Sequence, residues 1–103
     1  MKTTVLPSAR ADILKQIGYL IDLGLNPVAD RFLEAVRMAI DHVSNTPHAG
    51  APRPMKNRRL LGLRTWSIGG FDEIKLYYLV TDDELVILRV LHGRRDIEGI
   101  LEA

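Results

Sequence analysis

The sequence predicts a two-layer α+β fold, in which an N-terminal strand and a helical hairpin pack on an antiparallel sheet in the order β-α-α-β-β-β. Apolar residues recur at helical spacing in the first half of the chain, and an almost unbroken apolar run, residues 85–91, indicates a buried strand near its end. The chain of 103 residues is long enough for one core and too short for two. We therefore expect a single domain over residues 1–103.

The first half of the chain has the pattern of a short strand followed by two helices. Residues 2–6 favour a strand, and Ser8 is a suitable N-cap for the first helix. Gly24 closes that helix, and Asn26 and Pro27 open the second as N-cap and first-turn proline. Because the linker is only a few residues long, the helices should form an antiparallel hairpin. Their apolar faces are Ile13, Ile17, Leu20 and Ile21 in the first helix and Ala29, Phe32, Val36, Ala39, Ile40 and Val43 in the second.

The second half of the chain is predicted to form three antiparallel strands. A loop with three prolines and a glycine, residues 46–54, leads into them, and residues 96–102 suit a last turn or a short helix. A Gly-Gly pair at 69–70 and an Asp-Asp pair at 82–83 are typical hairpin breaks. The predicted strands are residues 59–67, 73–81 and 84–91.

The last of these strands is apolar on both sides of its pleat, over residues 85–91. Such a strand is expected to lie centrally and to be covered on both faces. The helical hairpin is the expected cover of one face. A partner protein is the candidate for the other, because so short a chain has little left to cover it.

Composition and charge set limits on the function. The chain is 47% hydrophobic and 26% charged with a net charge of +1, which is ordinary for a soluble globular protein. It has no cysteine, which excludes a disulfide framework or a thiolate metal site and fits a cytoplasmic location. No segment has the length of a membrane span or the apolar core of a signal peptide. We expect no cofactor, no metal and no membrane partner.

Positive charge is concentrated in two segments of the chain. The apolar strand ends in His92, Gly93, Arg94 and Arg95, and the glycine permits a sharp turn there. Two permanent cations fixed at the end of a rigid strand are well placed to bind an anionic or acidic partner. The other basic segment, residues 53–65, carries no carboxylate. Its plainer interpretation is a solvated loop. Its five cations are Arg53, Lys56, Arg58, Arg59 and Arg64.

Four motifs in order and spacing resemble the RelE/ParE toxin superfamily, and the last of them resembles its ParE branch. They are LPSARADI at 6–13, ADRFLEAVRMAI at 29–40, GLRTWSIGGFDEIKLYYLV at 62–80 and VLHGRRD at 90–96. The resemblance implies a RelE/ParE-like fold and a small bacterial toxin of a type II toxin–antitoxin module. It also implies neutralisation by a cognate antitoxin within a hetero-oligomer. Some members of the superfamily poison DNA gyrase and others cleave messenger RNA on the ribosome, so the fold alone does not choose.

The resemblance to the nuclease members is incomplete where their chemistry lies. Cleavage of RNA by its 2′-hydroxyl needs groups that accept and donate protons, and cations that stabilise the phosphate charge. The sequence can be aligned with RelE-type members on two landmarks, Leu-Arg at 63–64 and Gly-Arg-Arg at 93–95. In this alignment two lysines of those members fall at Leu60 and Gly62, and a tyrosine falls at Leu101. The catalytic set that could remain is Arg64, Lys75, His92 and Arg95.

The sequence therefore favours a non-enzymatic toxin that binds gyrase, without catalytic residues. The alternative is a ribosome-dependent endoribonuclease, in which His92 would replace the missing tyrosine as the acid–base group. A third alternative is an inactive member that only binds the antitoxin. We expect the antitoxin to lay a helix or strand over apolar surface that the toxin leaves exposed. The predicted target-binding residues are Arg64, His92, Arg94 and Arg95.

The aromatic and remaining histidine side chains have plainer interpretations. Tyr77 and Tyr78 are adjacent in a strand and should point to opposite faces, where cross-strand packing is favoured over stacking on a base. Trp66 suits a core or interface anchor better than a nucleotide platform. His42 and His48 have no partner at metal-ligand spacing and are expected at the surface.

Overall fold

The computed structural model describes residues 1–102, in which five strands form one sheet and two long helices pack on one of its faces. The elements are β1 Lys2–Val5, α1 Pro7–Asp22, α2 Asn26–Asn45, β2 Ala51–Pro52, β3 Arg64–Ile68, β4 Phe71–Val80, β5 Glu84–His92 and α3 Ile97–Leu101. The strands lie side by side in the order β1-β5-β4-β3-β2. The predicted α+β architecture is confirmed, including the short C-terminal helix.

The sheet is mixed, because its first strand runs parallel to its neighbour. Strands β3, β4 and β5 form the expected antiparallel meander. Strand β1 pairs in parallel with β5, from Lys2 opposite Glu84 to Val5 opposite Ile87. Strand β5 therefore lies inside the sheet, as predicted. The loop predicted at residues 46–54 contains β2, which pairs with β3 through only two residues.

The strand predicted at residues 59–67 begins later than expected. Residues Arg58–Leu60 form a 3₁₀ turn, and β3 starts at Arg64. Gly62 has a φ of +84°, a left-handed conformation that interrupts an extended chain. Leu60 and Leu63 are nevertheless buried. Their spacing thus indicated burial correctly but not the backbone conformation.

The helices begin at the expected places with different caps. Helix α1 begins at Pro7, so Ser8 lies within its first turn and does not cap it. The Ser8 hydroxyl donates instead to the carbonyl of Leu88, at 3.0 Å. Helix α2 begins at Asn26 itself, with Leu25 in the cap position and the predicted proline in its first turn. Each helix start is thus within about one residue of the sequence prediction, the usual precision of a helix boundary.

The main core lies between the helical hairpin and the sheet. Helix α2 supplies a continuous face, with Phe32 fully buried and edge-on to Phe71 of β4 at a ring separation of 5.2 Å. Ile21 was predicted to lie on the buried face of α1, but it is 48% exposed. The core side chains from the helices are Ala9, Leu20, Ala29, Phe32, Val36, Ala39 and Val43, and those from the sheet are Ile68, Leu76, Tyr78, Leu85, Ile87 and Val90.

The opposite face of the sheet is covered by the chain itself. Leu63, Tyr77, Leu91 and Ile97 form a second buried cluster, so α3 and the segment before β3 close over this face. Helix α3 is fixed there by the side chain of Asp96, which accepts from an amide of the helix. The premise that so short a chain has little left to cover this face is therefore wrong, because the C-terminal segment covers part of it. The partly buried side chains packed on the cluster are Met55, Leu79, Leu88, Ile100 and Leu101.

Candidate functional site

Three of the four predicted target-binding residues lie at the end of β5 and in the turn after it, and two of them contact one carboxylate. His92 ends β5, and its Nε2 lies 2.9 Å from Oε2 of Glu73. The Arg94 Nη2 atom lies 3.2 Å from Oε1 of the same carboxylate. The Gly93 amide donates to the Glu73 carbonyl at 2.7 Å, which ties the turn to β4. Glu73 thus holds His92 and Arg94 together, a role that the sequence pattern gave no reason to assign.

The cations of this turn remain accessible to a partner. The Arg94 side chain is 83% exposed, and Glu73 is 61% exposed. An ion pair this open to water contributes little to folding, so Arg94 can exchange Glu73 for another acceptor at small cost. Arg95 is also exposed. The turn can therefore present two guanidinium groups outside the folded core.

A groove of about 500 Å³ runs between α1 and the end of β5, and the basic turn forms one of its walls. His92 and Arg95 line it on the side of the turn, and Lys15 and Tyr19 line it on the side of α1. The groove combines apolar lining with cationic side chains, which suits an amphipathic segment carrying acidic residues. Its remaining apolar lining comes from Phe32, Ile74, Val90 and Leu91.

An ion pair that the sequence did not reveal lies in this groove. Asp12 of α1 accepts two hydrogen bonds from the guanidinium of Arg89 in β5. The Asp12 side chain is only 11% exposed, and the hydrogen bond from Arg89 to Asp12 raises the pKa of Arg89. These two charges compensate each other. The groove is therefore left with a net positive rim from the other cationic residues.

Arg64, the fourth predicted target-binding residue, lies away from the basic turn. In the sheet Arg64 lies opposite Tyr78 of β4. His92 lies opposite Ile74, four residues nearer the beginning of the same strand. This offset is about 13 Å along the strand at about 3.3 Å per residue. The Arg64 guanidinium donates to the carbonyls of His48 and Gly50, at 3.2 and 2.7 Å. Arg64 therefore anchors the loop before β2.

The alternative catalytic set is not brought together in the structure. Residues paired across antiparallel strands point to the same face, so Arg64 shares the helical face with Tyr78. Lys75 pairs with Leu91 of the second cluster and points to the opposite face. His92, paired with Ile74, returns to the helical side. The sheet therefore separates Lys75 from Arg64 and His92.

The three positions that carry proton-transfer groups in RelE-type toxins are structural here. Leu60 is 8% exposed and belongs to the 3₁₀ turn. Gly62 provides the left-handed backbone that follows this turn. Leu101 packs on the second hydrophobic cluster as the last residue of α3. Each residue is explained by packing or backbone geometry.

The two adjacent tyrosines point to opposite faces, and both are buried. Tyr78 belongs to the main core and Tyr77 to the second cluster, with 0% and 1% exposure. The Tyr78 hydroxyl donates to the Pro47 carbonyl and accepts from the Gly50 amide, both at 2.9 Å. Burial raises the pKa of both phenols. The structure thus places both in packing roles, and neither ring is open for stacking on a base.

Trp66 lies half-buried at the edge of the main core. The imidazole of His42 on α2 stacks on it, with ring centroids 4.5 Å apart and an angle of 27° between the rings. His42 and His48 are exposed, as predicted. This position agrees with the interpretation of Trp66 as an anchor at the margin of the core.

The helical hairpin carries the largest group of exposed apolar side chains in residues 1–102. Tyr19 on α1, beside the groove, is 58% exposed. Leu23 and Leu25, in the connection between the helices, are 55% and 41% exposed. Seven large exposed apolar side chains on the two helices and their connection make the hairpin a candidate protein interface. The other members of the group are Leu14, Ile21, Leu33 and Met38.

Neither a metal-binding cluster nor a membrane-spanning helix occurs in residues 1–102. Residues 1–102 contain no group of three or more His, Asp or Glu side chains that could hold a metal ion. None of the helices described within these residues is long and apolar enough to cross a membrane.

Comparisons with known proteins agree with the fold and place the chain in a family. One solved structure, described as the chromosomal ParDE TA system from P. aeruginosa, matches with a TM-score of 0.73 and 20% sequence identity. The match covers 89% of this chain and 95% of that chain, and at this identity it shows the fold. No curated protein sequence matches the chain significantly. The family model for the ParE toxin of type II toxin–antitoxin systems, parDE, matches residues 4–97, and the chain therefore belongs to this family of toxins.

Proposed function

We propose that this toxin acts by binding DNA gyrase, without catalysis, and that a cognate antitoxin neutralises it by direct contact in a cytoplasmic hetero-complex. The observation that carries the proposal is the basic turn, whose guanidinium groups extend into solvent from the end of a buried strand. The target surface consists of His92, Arg94 and Arg95. Arg64, predicted as a fourth member, anchors the loop before β2 and is not part of this surface.

The absence of nuclease chemistry is supported by the positions of the cationic groups. A cleavage site needs a proton acceptor, a proton donor and cations within reach of one phosphate. Here Lys75 and Arg64 point to opposite faces of the sheet. Cations without proton-transfer groups can hold a phosphate but have little means of cleaving its ester.

The groove beside α1 is the proposed contact surface for the antitoxin. Its exposed Tyr19 and the apolar residues of the helical hairpin would be shielded by a helix or strand of the partner. The cations Lys15 and Arg95 on its rim suit acidic side chains in that segment. This assignment replaces the far face of the sheet as the apolar surface that needs a partner.

A ribosome-dependent endoribonuclease is the second candidate, because of one geometric feature. His92 is hydrogen-bonded to a carboxylate and lies next to Arg94, an arrangement that general acid–base catalysis can use. In this alternative His92 would act as the general acid–base group, because Lys75 points to the other face of the sheet.

Expression of the toxin without its antitoxin distinguishes the two targets in cells. Inhibition of gyrase predicts filamentation and a DNA damage response, whereas cleavage of messages predicts rapid arrest of translation. Co-expression with the antitoxin encoded beside the toxin gene should abolish either effect and yield a stable complex. Leu23→Ser, in the exposed connection of the hairpin, should weaken that complex, whereas Thr81→Ala, far from the hairpin, should not. A toxin that stays fully active beside its antitoxin would contradict neutralisation by direct binding.

A further inference from the structure

A second, smaller cleft lies on the face of the sheet opposite α1 and α2. It has a volume of about 190 Å³ and is lined by Arg53, Thr65, Lys75, Tyr77 and Gly93, between two prolines. Ligand pockets for drug-sized molecules range over about 300–1,000 Å³. A cleft below this range suits a single small group rather than a whole nucleotide.

The cleft is lined by two cations and by no carboxylate. Within residues 1–102, neither Arg53 nor Lys75 lies within salt-bridge distance of an acidic side chain. The Nε of Arg53 is shielded from solvent and has no hydrogen-bond partner in this part of the chain. A buried charged donor without an acceptor is costly, and a bound anion would supply the missing acceptor.

Both cations are held in place by the fold. The Arg53 amide donates to the Leu63 carbonyl at 2.8 Å, so the backbone that carries its guanidinium is fixed beside β3. Lys75 extends over Gly93, where an added Cβ would lie 3.2 Å from the lysine Cε. Burial raises the pKa of Tyr77, and the positive charge of Arg53 opposes part of this rise. The guanidinium of Arg53 and the phenol of Tyr77, which both line the cleft, are therefore close enough to interact electrostatically.

We propose that the cleft between Arg53 and Lys75 binds a phosphate group. Its potential donors come from the segment before β3 and from two strands, so they surround the cleft from several directions. This arrangement suits a tetrahedral oxyanion, whereas a planar carboxylate is satisfied by the fork of one guanidinium. The exposed cations Lys56, Arg58 and Arg59 of the same segment extend the positive surface. The phosphate can belong to a nucleic acid backbone or to free phosphate, and binding is independent of the proposed inhibition of gyrase.

The test titrates the purified chain with inorganic phosphate and, separately, with a short fluorescent oligonucleotide at several salt concentrations. Arg53→Gln and Lys75→Met should each weaken binding by about ten- to a hundredfold, the usual value of a hydrogen bond to a charged group. The matched controls Arg10→Gln on α1 and Lys2→Met on β1, both exposed, should leave binding unchanged. An affinity for the oligonucleotide that falls steeply with salt identifies the nucleic acid backbone as the ligand. Binding of inorganic phosphate without binding of the oligonucleotide identifies free phosphate as the ligand.

A nuclear magnetic resonance measurement on the unmodified chain avoids any folding defect of the variants. Phosphate should shift the Nε–H resonance of Arg53, and acetate at the same ionic strength should shift it less. Absence of binding to both ligands, or binding that survives both substitutions, would overturn the proposal. A stronger response to acetate than to phosphate would also overturn it and would point to a carboxylate of a protein partner.

Discussion

Asp12 of α1 and Arg89 of β5 form a two-pronged ion pair, with Nε to Oδ2 and Nη2 to Oδ1 distances of 2.7 and 2.9 Å. The same Oδ2 accepts from the Val90 amide at 3.0 Å. One carboxylate therefore binds both a side chain and the backbone of β5. These contacts fix the first helix to the strand that carries the basic turn, and they lie in the groove proposed for the antitoxin.

Removal of this carboxylate should destabilise the toxin. Asp12→Ala leaves the guanidinium of Arg89 and the amide of Val90 without their acceptor in a partly buried site, and should lower the free energy of unfolding by about 2–3 kcal/mol. Urea denaturation measures this change. Glu34→Ala, which breaks the exposed pair with Arg37 on α2, is the control and should leave the urea midpoint unchanged. Equal losses in the two variants would show that burial does not strengthen the Asp12–Arg89 pair.

The two adjacent tyrosines offer a matched comparison of one buried hydroxyl group. Tyr78→Phe removes the hydroxyl that binds Pro47 and Gly50, and should lower the free energy of unfolding by about 1–3 kcal/mol, because a buried carbonyl and amide lose their partner. Tyr77→Phe, equally buried in the second cluster, should have a smaller effect. Chemical denaturation of both variants measures the difference, and a larger loss in Tyr77→Phe would contradict this assignment.

The stability of the fold should decline in alkaline solution. Burial raises the pKa of Tyr77 and Tyr78 above the ordinary value of 10.0. Above that pH the unfolded chain loses its phenolic protons before the folded chain does, so ionisation favours unfolding. The contribution is complete below about pH 10 and is lost as the pH rises towards the folded pKa values. Urea midpoints across this range should fall less steeply in Tyr77→Phe than in the unmodified toxin, and identical slopes would exclude Tyr77 as a contributor.

The basic turn should affect toxicity far more than folding. Arg94→Ala and Arg95→Ala remove exposed guanidinium groups, and such changes usually alter stability by less than about 0.5 kcal/mol. Growth after induction should recover in both variants, while the melting temperature of each purified variant without antitoxin stays close to that of the unmodified toxin. Arg58→Ala, in the exposed 3₁₀ turn, is a matched control for loss of one positive charge. Full toxicity in both Arg94→Ala and Arg95→Ala would exclude the turn as the effector surface.

The sequence predicted the features that depend on local pattern. The apolar face of α2 from Ala29 to Val43 and the three-strand meander follow from periodicity and turn residues, and both are present. The tail was predicted as a last turn or a short helix, and it forms a short helix. The start of β3 was predicted too early, because Leu60 in the 3₁₀ turn and Leu63 after it are buried although neither lies in the strand. Periodicity reports burial, and it does not distinguish an irregular buried segment from a strand.

The side-chain contacts of the site depend on tertiary distances that no local pattern encodes. Asp12 meets Arg89 across 77 residues, and Glu73 meets His92 across 19. The same limit applies to Arg64, which was predicted to bind the target together with the residues of the basic turn. Its guanidinium instead donates to the carbonyls of His48 and Gly50 in the loop before β2. Charge in a sequence identifies candidates, whereas the sheet register decides which of them meet.

The central claim, that this toxin binds gyrase and is not a nuclease, is tested most directly by a supercoiling assay with purified toxin. The same preparation is tested for message cleavage on programmed ribosomes, beside the His92→Ala variant. The account predicts impaired supercoiling and no specific RNA cuts, because a site without general acid–base groups forgoes about 10²–10⁴ in rate. Codon-dependent cuts that vanish in His92→Ala, with supercoiling unaffected, would contradict the account and identify a ribonuclease.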